Sequence, residues 1–513
     1  MSPEQTKHRI LQRKSASICY NNRKGKRQKS AKGLRMSDMR GGLVYKFGDN
    51  QISFADFGQP VGMTMSSENR WVKKAESIPW KEIEIRYAKL FTNKKGNVAK
   101  PLRLALGACI IQAEYGFSDT ETVLMIQEHP YLQYFCGFPE YKDERPFDPS
   151  LMVYFRKRLT PEILGEINEL LIERAQKQND ANDEGNDDDN GNSGTLIVDA
   201  TCAPSDIRYP TDTSLLNEAR ENSEAIIDLL HEPGNGEKPR TYRRRAHKEY
   251  AQFVRIRKPG QKKIRKCIKK QLGYLGRNLS TIETMLEASG ELSSRWRERL
   301  ETLKTVFVQQ RHMFETRTHT VENRIVSISR PYLRPIVRGK AKSLVEFGAK
   351  LDISVADGYT RLETFSFDPY NEATFLKDVI ERYRDRTGHY PQRVLADKIY
   401  RNRDNLGFCK DYGIRLSGPA LGRPRKDEKP DKRQDYADIC DRVEVERRIS
   451  LAKRKCGLGL LTTRLAETAA CAIALSIVVL NLRKIQCAFL QWLLKVFPND
   501  FLIQCHAKPL FLQ

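Results

Sequence analysis

Three carboxylates far apart in the chain stand in settings suited to metal chemistry: Asp199, Asp397 and Glu446. Asp199 follows the apolar run Leu196-Ile197-Val198, and Asp397 follows Val394-Leu395-Ala396. Short apolar runs bounded by polar or turn residues read as buried central strands. An acid at the exit of such a strand is held rigidly, and two neighbouring strands can bring two such acids together. Hard divalent cations prefer oxygen ligands. Two Mg²⁺ or Mn²⁺ ions on carboxylates can deprotonate a nucleophile, neutralise a phosphorane-like transition state and stabilise the leaving oxyanion, which is what cutting or transferring a phosphodiester requires. His and Cys are not needed for this, and neither is clustered in the chain.

The third acid belongs to a different kind of element. Val445, Ile449, Ala452 and Cys456 recur at helical spacing, so residues 435–455 are expected to form an amphipathic helix. At about 100° per residue, Arg442, Glu446 and Lys453 fall within roughly 40° of one another beside the apolar stripe, while Glu444 points nearly the opposite way. The helix thus offers Glu446 to the edge of the core with a cation on either side.

The spacing Arg442-x3-Glu446-x6-Lys453 resembles the signature helix of the DDE transposases of bacterial insertion sequences, with Asp199 and Asp397 matching the two preceding aspartates. Asp397-Lys-Ile-Tyr400-Arg401 is similar to the family's box around its second Asp, with Ile399 in place of a small residue. The family pattern also has a Tyr three residues before the Arg, where this chain has Ile439, which leaves DNA contacts of that Tyr to be supplied elsewhere. Asp199-Ala-Thr-Cys-Ala-Pro204 and Val345-Glu-Phe-Gly-Ala-Lys350 resemble the subgroup with a helical N-terminal domain, so the likeness runs from about residue 51 to 485. The resemblance implies that Asp199, Asp397 and Glu446 are both catalytic residues and ligands of two Mg²⁺ or Mn²⁺ ions, with Asp199 bridging the two. It implies that Arg442, Lys453, Tyr400 and Arg401 touch DNA, and that a homodimer forms on the element's terminal inverted repeats and target DNA. The implied reaction is hydrolysis at the element end, then attack of the freed 3′-OH on target DNA.

Plainer readings stand beside these. An Asp after a strand is commonly a turn or helix cap, and Glu446, Arg442 and Lys453 could be solvated charges on a basic helix. Asp206, Asp212, Asp352 and Asp357 are rival carboxylates, of which Asp206 or Asp357 could support the site from behind. A DNA-binding relic without catalysis, or a nuclease that cuts without strand transfer, are the competing functions. Retention of all three acids argues against the relic.

With 89 Lys and Arg against 65 Asp and Glu, the net charge of +24 favours a polyanionic partner, most simply DNA; RNA or an anionic membrane fits the charge equally. Eleven scattered cysteines, never spaced as Cys-x-x-Cys, indicate neither a zinc ribbon nor a disulfide framework and suit reduced thiols in a cytoplasmic, nucleoid-associated protein. The apolar stretch 469–482 is short for a bilayer span and is expected to be a buried helix packed on the sheet, with no membrane partner. The N-terminus lacks a secretory signal's apolar core.

The organisation expected is a basic disordered tail (1–47), with Met36 or Met39 as alternative starts, then a helical DNA-binding domain (48–178). Its helix starts are Ser118-x-x-Glu121 and Phe147-Asp-Pro-Ser150. An acidic linker (179–194) follows, in which Asp187-Asp-Asp189 is too loose to suit metal. The catalytic domain (195–485) carries a charged helical insertion (211–323), whose Arg243-Arg-Arg245 and Lys262-Lys-Ile-Arg-Lys266 interleave with Tyr242, Tyr250 and Phe253, a pattern suited to phosphate contact. Strands flank the Asp357-Gly358 turn, a helix over 372–386 gives a crossover to a parallel strand, and a further strand is expected over 413–421. A tail (486–513) ends the chain. The fold class is therefore α/β: a ribonuclease H-like core with a large helical insertion after its first strand, preceded by a separate all-α domain.

Overall fold

The computed structural model describes residue 45 and residues 52–91, 98–180, 191–231, 237–288, 291–340, 343–418 and 432–496. The basic tail up to residue 44 with its alternative starts, the Asp187-Asp-Asp189 run, the Lys/Pro-rich loop before the Glu446 helix and the chain after residue 496 lie outside these residues. The fold is mixed α/β and divides into two compact units: Met1–Ala203 with Lys350–Ser366 and Tyr370–Gln513, and Pro204–Ala349 with Phe367–Pro369.

In the first unit the described residues before the first strand form the helices α1 Arg70–Ser77, α2 Trp80–Ala88, α3 Leu102–Tyr115, α4 Asp119–Glu128, α5 Pro130–Phe135, α6 Leu151–Arg158 and α7 Pro161–Asp180. Helix α3 is almost wholly apolar and stops at Gly116, whose φ of 74° suits a residue without Cβ. Helix α4 opens with a reciprocal capping box between Ser118 and Glu121, as the spacing of those two residues predicts. Strand β1 spans Thr195–Pro204. Asp199 thus lies inside a ten-residue strand rather than at its exit, because Cys202, Ala203 and their neighbours extend the buried run.

The second unit is mostly helical: α8 Asp212–Leu230, α9 Arg243–Val254, α10 Gln261–Ala288 and α11 Ser294–Thr316. Leu216, Ile226, Leu275, Ile282 and Leu303 fill its core. Strand β2, Arg334–Lys340, pairs antiparallel with the start of β3, Ser343–Ala356. The sequence reading did not anticipate β2, since Arg-Pro-Ile-Val-Arg-Gly-Lys carries no period-two signal.

Back in the first unit the chain runs through β4 Tyr359–Ser366, α12 Leu376–Thr387, β5 Arg393–Leu395, α13 Arg403–Asp411, β6 Arg415–Leu416, α14 Lys432–Lys455 and α15 Ala466–Val496. Asp357 and Gly358, at φ 52° and 70°, form the β3–β4 turn, both left-handed as a two-residue type I′ hairpin requires. The strands of this unit lie in the order β4-β3-β1-β5-β6. Strand β4 is antiparallel to β3, whereas β1, β5 and β6 run parallel.

The separate N-terminal domain expected from sequence is instead packed into the same unit as the sheet. The Arg361 guanidinium forks onto Glu169 of α7 at 2.9 to 3.1 Å, and Asn481 of α15 donates to Asn168 of α7 and to the Thr360 carbonyl. The apolar stretch expected over 469–482 belongs to a longer helix, and Ala466–Cys487 is long and apolar enough to cross a membrane by length and composition. Most of that span is buried in the protein, with Ile473, Val479, Leu480 and Leu482 at 0 % exposure, as the core helix of a globular unit is.

Candidate active site

The parallel register of β1 and β5 positions the two aspartates. Leu196 pairs with Val394 and Ile197 with Leu395. Asp397 lies two residues past Leu395, beyond the end of β5, where the turn Lys398–Tyr400 begins, while Asp199 lies two residues beyond Ile197 within β1, so the period-two alternation of the strand aims it at the face Ile197 occupies. That face is where α14 packs: Ile197, Leu395 and Val355 of the sheet meet Val445 and Ile449 of the helix. Val445, Ala452 and Cys456 are fully buried, which fixes the helix rotation and leaves Glu446, one residue past Val445, at the helix edge. Leu196, Val198, Val394 and Ala396 fill the opposite face under α12.

The electrostatics agree with this placement. The Asp199 carboxyl is held above the usual range by burial first, and the charges of Asp397 and Glu446 push it the same way. The Ala200 N–H, 2.9 Å from Oδ1, and the Arg442 guanidinium pull it back. Asp397 caps the turn Lys398–Tyr400, accepting from the Lys398 N–H at 2.7 Å. Glu446 is 57 % exposed and rests 3.4 Å from Arg442.

Three acids in one another's field, served by a single guanidinium, form an all-oxygen donor set that a divalent cation would relieve. Asp199 and Asp397 accept from the N–H groups of Ala200 and Lys398, and Glu446 rests beside Arg442 of its own helix. That donor chemistry fits Mg²⁺ or Mn²⁺. Among the described residues no three His, Cys, Asp or Glu side chains are drawn close enough to form a ready-made metal cage.

The other residues singled out in the sequence fall in varied places. Arg442 sits beside the trio, and Lys453 is half-buried two turns along the same helix. Ile439 is 61 % exposed and Tyr436, one turn earlier, 70 % exposed. Tyr400 is corrected: its ring is 1 % exposed within the cluster of Leu196, Val198, Leu376 and Ile380, so it offers DNA no contact and instead anchors the turn that carries Asp397. Arg401 is half-buried and donates to the Ser417 carbonyl at 3.0 Å and to Leu416, so it ties that turn to the end of β6.

Asp357 is exposed in the β3–β4 turn, where its charge acts on Tyr359, Tyr383 and Lys484 rather than on the trio. Asp212 is taken up by Gln310 and Arg324 inside the second unit, where Asp206 also lies. Asp352, one of the rival carboxylates, is a buried acid of β3 whose charge reaches Tyr400. An acid between Leu351 and Ile353 in a buried strand was the available signal.

The chain matches the transposase DDE domain over residues 394–483 and the transposase domain DUF772 over residues 63–158. The first match contains Asp397 and Glu446, and the second begins ahead of α1 and ends with the last residue of α6. A protein of Rhizobium meliloti described as uncharacterized protein ORF8 in the nfe locus is 33% identical over 148 residues, which is 29% of this chain and 68% of the relative. No solved structure matches the chain. The chain belongs to the DDE transposases of insertion sequences.

Proposed function

We propose that this transposase cuts DNA at the ends of its own element and joins the freed 3′-OH to target DNA, with Asp199, Asp397 and Glu446 as the reacting centre. The observation that carries the reading is the shared field of the three acids, two placed by one parallel strand register and the third by a helix packed on the same face. The strand order β4-β3-β1-β5-β6 and the parallel pairing of its last three strands support a ribonuclease H-like core.

In the first step water attacks the phosphorus at the element end, the bond to the 3′ oxygen breaks, and the flanking strand leaves with a 5′ phosphate. In the second, the 3′-OH attacks a target phosphorus, displacing a target 3′ oxygen, so one phosphodiester is made for each one broken. Two Mg²⁺ or Mn²⁺ ions on Asp199, Asp397 and Glu446 would activate the attacking oxygen and neutralise charge on the phosphoryl group. Arg442, with Lys453 further along the helix, holds DNA phosphates beside the acids, contacts that position the strand without reading its sequence. Arg401 serves the same end indirectly, through the turn it braces.

The helices of residues 63–158 recognise the element's ends, and the basic helices of the second unit grip the backbone. A homodimer brings two ends together. The action is cytoplasmic, on nucleoid DNA. The test is to incubate the protein with labelled element-end DNA and Mg²⁺, scoring nicking and strand transfer separately. Both products are expected; nicking alone would reduce the protein to a nuclease, and binding without either product would make it a relic.

A further inference from the structure

Helix α10 carries a row of cations on one face. At about 100° per residue, Lys263, Lys266 and Lys270 all point within about 40° of Arg277, and all four are exposed. At 1.5 Å per residue the row is about 21 Å long, the rise of about six nucleotides of one strand. Its C-terminal end differs from the rest. There the Arg277 guanidinium lies 4.8 Å from the Tyr242 ring centroid and 5.1 Å from that of Tyr274. Tyr274 is buried, and its hydroxyl donates to Glu249 at 3.0 Å, the acid that Lys270 also meets at 3.0 Å. Tyr242 is instead 44 % exposed.

Two features of this end are not explained by packing. Tyr242 stands ahead of α9 at φ 54° and ψ 22°, a left-handed conformation that a bulky residue seldom adopts, and its side chain does not cap the helix. Asn or Gly would suit that backbone better, so what recommends Tyr is its ring. Gly273 lies inside α10 one turn before Arg277, whose Nε donates to its carbonyl at 3.2 Å. A glycine there weakens the helix relative to alanine, yet a Cβ would meet nothing within 4 Å. Gly276 is the contrast: its Cβ would lie 3.1 Å from Cζ of Phe307, so packing accounts for it. Gly273, also within about 40° of Arg277, keeps space open on the face of the cation row.

Open space beside a guanidinium and an exposed ring suits a flat group. A phosphate is held by lysines alone and needs no aromatic ring. Every nucleobase, by contrast, has a π-face that stacks on aromatic rings and guanidinium planes once it is out of the duplex.

We propose that Tyr242, Gly273 and Arg277 seat an unpaired DNA base, with phosphates of the same strand running along Lys270, Lys266 and Lys263. The proposal deepens, and rests on, the reading that the basic helices of the second unit grip the DNA backbone. It makes that unit a reader of the junction between duplex and single strand rather than a uniform grip.

The test measures binding of the full chain to two probes: a blunt DNA duplex, and the same duplex with a short single-stranded extension carrying 2-aminopurine, whose fluorescence stacking quenches. Wild type is expected to bind the extended probe about fivefold or more tightly, the scale of one base–aromatic stack, and to quench the reporter. Tyr242→Leu should lose the preference and the quench, whereas Tyr242→Phe and Tyr242→Trp should keep both. Gly273→Leu is the sharper variant. It puts a better helix former at an exposed position and should melt at or above the wild-type temperature, yet it fills the seat and should lose the preference. Should Tyr242→Leu fail to fold, Tyr242→Asn, which tolerates the left-handed backbone, takes its place.

Equal affinity of wild type for the two probes overturns the seat while leaving the backbone grip standing. So does a preference that survives in both Tyr242→Leu and Gly273→Leu. Binding to neither probe sinks the grip and the seat together.

Discussion

The carboxylate site of the first unit and the basic helices of the second handle charge in opposite ways. On α14 and the sheet, charges of both signs interlock: Arg393 and Arg415 share Asp438, Arg447 and Arg448 share Glu444, and Arg442 reaches Glu446. The exception within that network is Asp199, crowded by two further acids. Over residues 243–270 of the second unit, thirteen Lys and Arg face a single acid, Glu249. Lys262, Lys263, Lys266 and Lys269 are all exposed there. Arg277 stacks between Tyr242 and Tyr274 at 4.8 and 5.1 Å, and Arg265 lies 4.4 Å from the Phe314 ring.

Each region is therefore incomplete in charge, with the opposite sign. On the proposed reading the acids of the first take a compact cation, and the cations of the second take an extended anion. DNA carrying divalent ions would supply both. The difference teaches that a few acids, placed by strand register, suffice for chemistry, whereas backbone binding needs many cations and little placement.

The largest expected effect breaks the first side of the comparison. Asp199→Ala, Asp397→Ala or Glu446→Ala should each lower cleavage by at least about a thousandfold, the scale for removing a pre-organised charge from a reaction centre. Filter binding to end DNA should change little. Cutting at a near-normal rate by any one variant would remove that residue from the assignment.

The second side breaks more gradually. Reversing Lys262, Lys263, Lys266 and Lys269 to Glu should weaken DNA binding and flatten its salt dependence, by about 0.9 in log–log slope for each DNA phosphate that the protein ceases to neutralise. The positions are exposed, so the fold should survive, as circular dichroism would verify. An unchanged slope would make the insertion solvated scaffolding.

How much of this was legible in the sequence follows the same division. The buried faces beside the three acids could be read because strand and helix periodicity are local: Ile197 and Leu395, or Val445 and Cys456, announce such a face without knowledge of the partner. Strand β2 was not legible, because its pairing with β3 rather than its own pattern makes it a strand. Tyr400 was misread for a related reason. Its position after Asp397 is visible in the sequence, but whether a Tyr in a turn faces solvent or tucks under a sheet depends on Leu376 and Ile380, contributed by a helix the turn itself does not predict. Asp352 stayed among the rival carboxylates because the sequence shows an acid beside a strand but not how deeply the sheet buries it.

A smaller effect is expected at Arg442. It is the guanidinium that steadies Asp199, so Arg442→Ala should drive the Asp199 carboxyl further up and slow cleavage about tenfold, with Arg442→Lys recovering part of the rate. Loss confined to DNA affinity, with the cutting rate at saturating DNA intact, would leave Arg442 a phosphate contact only.

The smallest effect is on stability, and its sign is diagnostic. The Asp199 carboxyl lies above its unfolded value, chiefly because burial disfavours its charge. The folded protein therefore holds that proton more tightly than the unfolded chain, and unfolding free energy falls as pH rises from the unfolded value through the folded one. Above that window the charged acid is a standing penalty. Asp199→Asn should then melt at or above the wild-type temperature at pH 8 and converge with it at acid pH. Mg²⁺ should reverse the order, because an ion bound only by the folded state stabilises it by about 2.7 kcal/mol at a hundred times its dissociation constant. Wild type should gain that increment and the variant should not. Equal Mg²⁺ shifts in the two proteins would place the cation somewhere other than Asp199, and a variant less stable than wild type at pH 8 without Mg²⁺ would mean that this carboxylate serves the fold rather than the reaction.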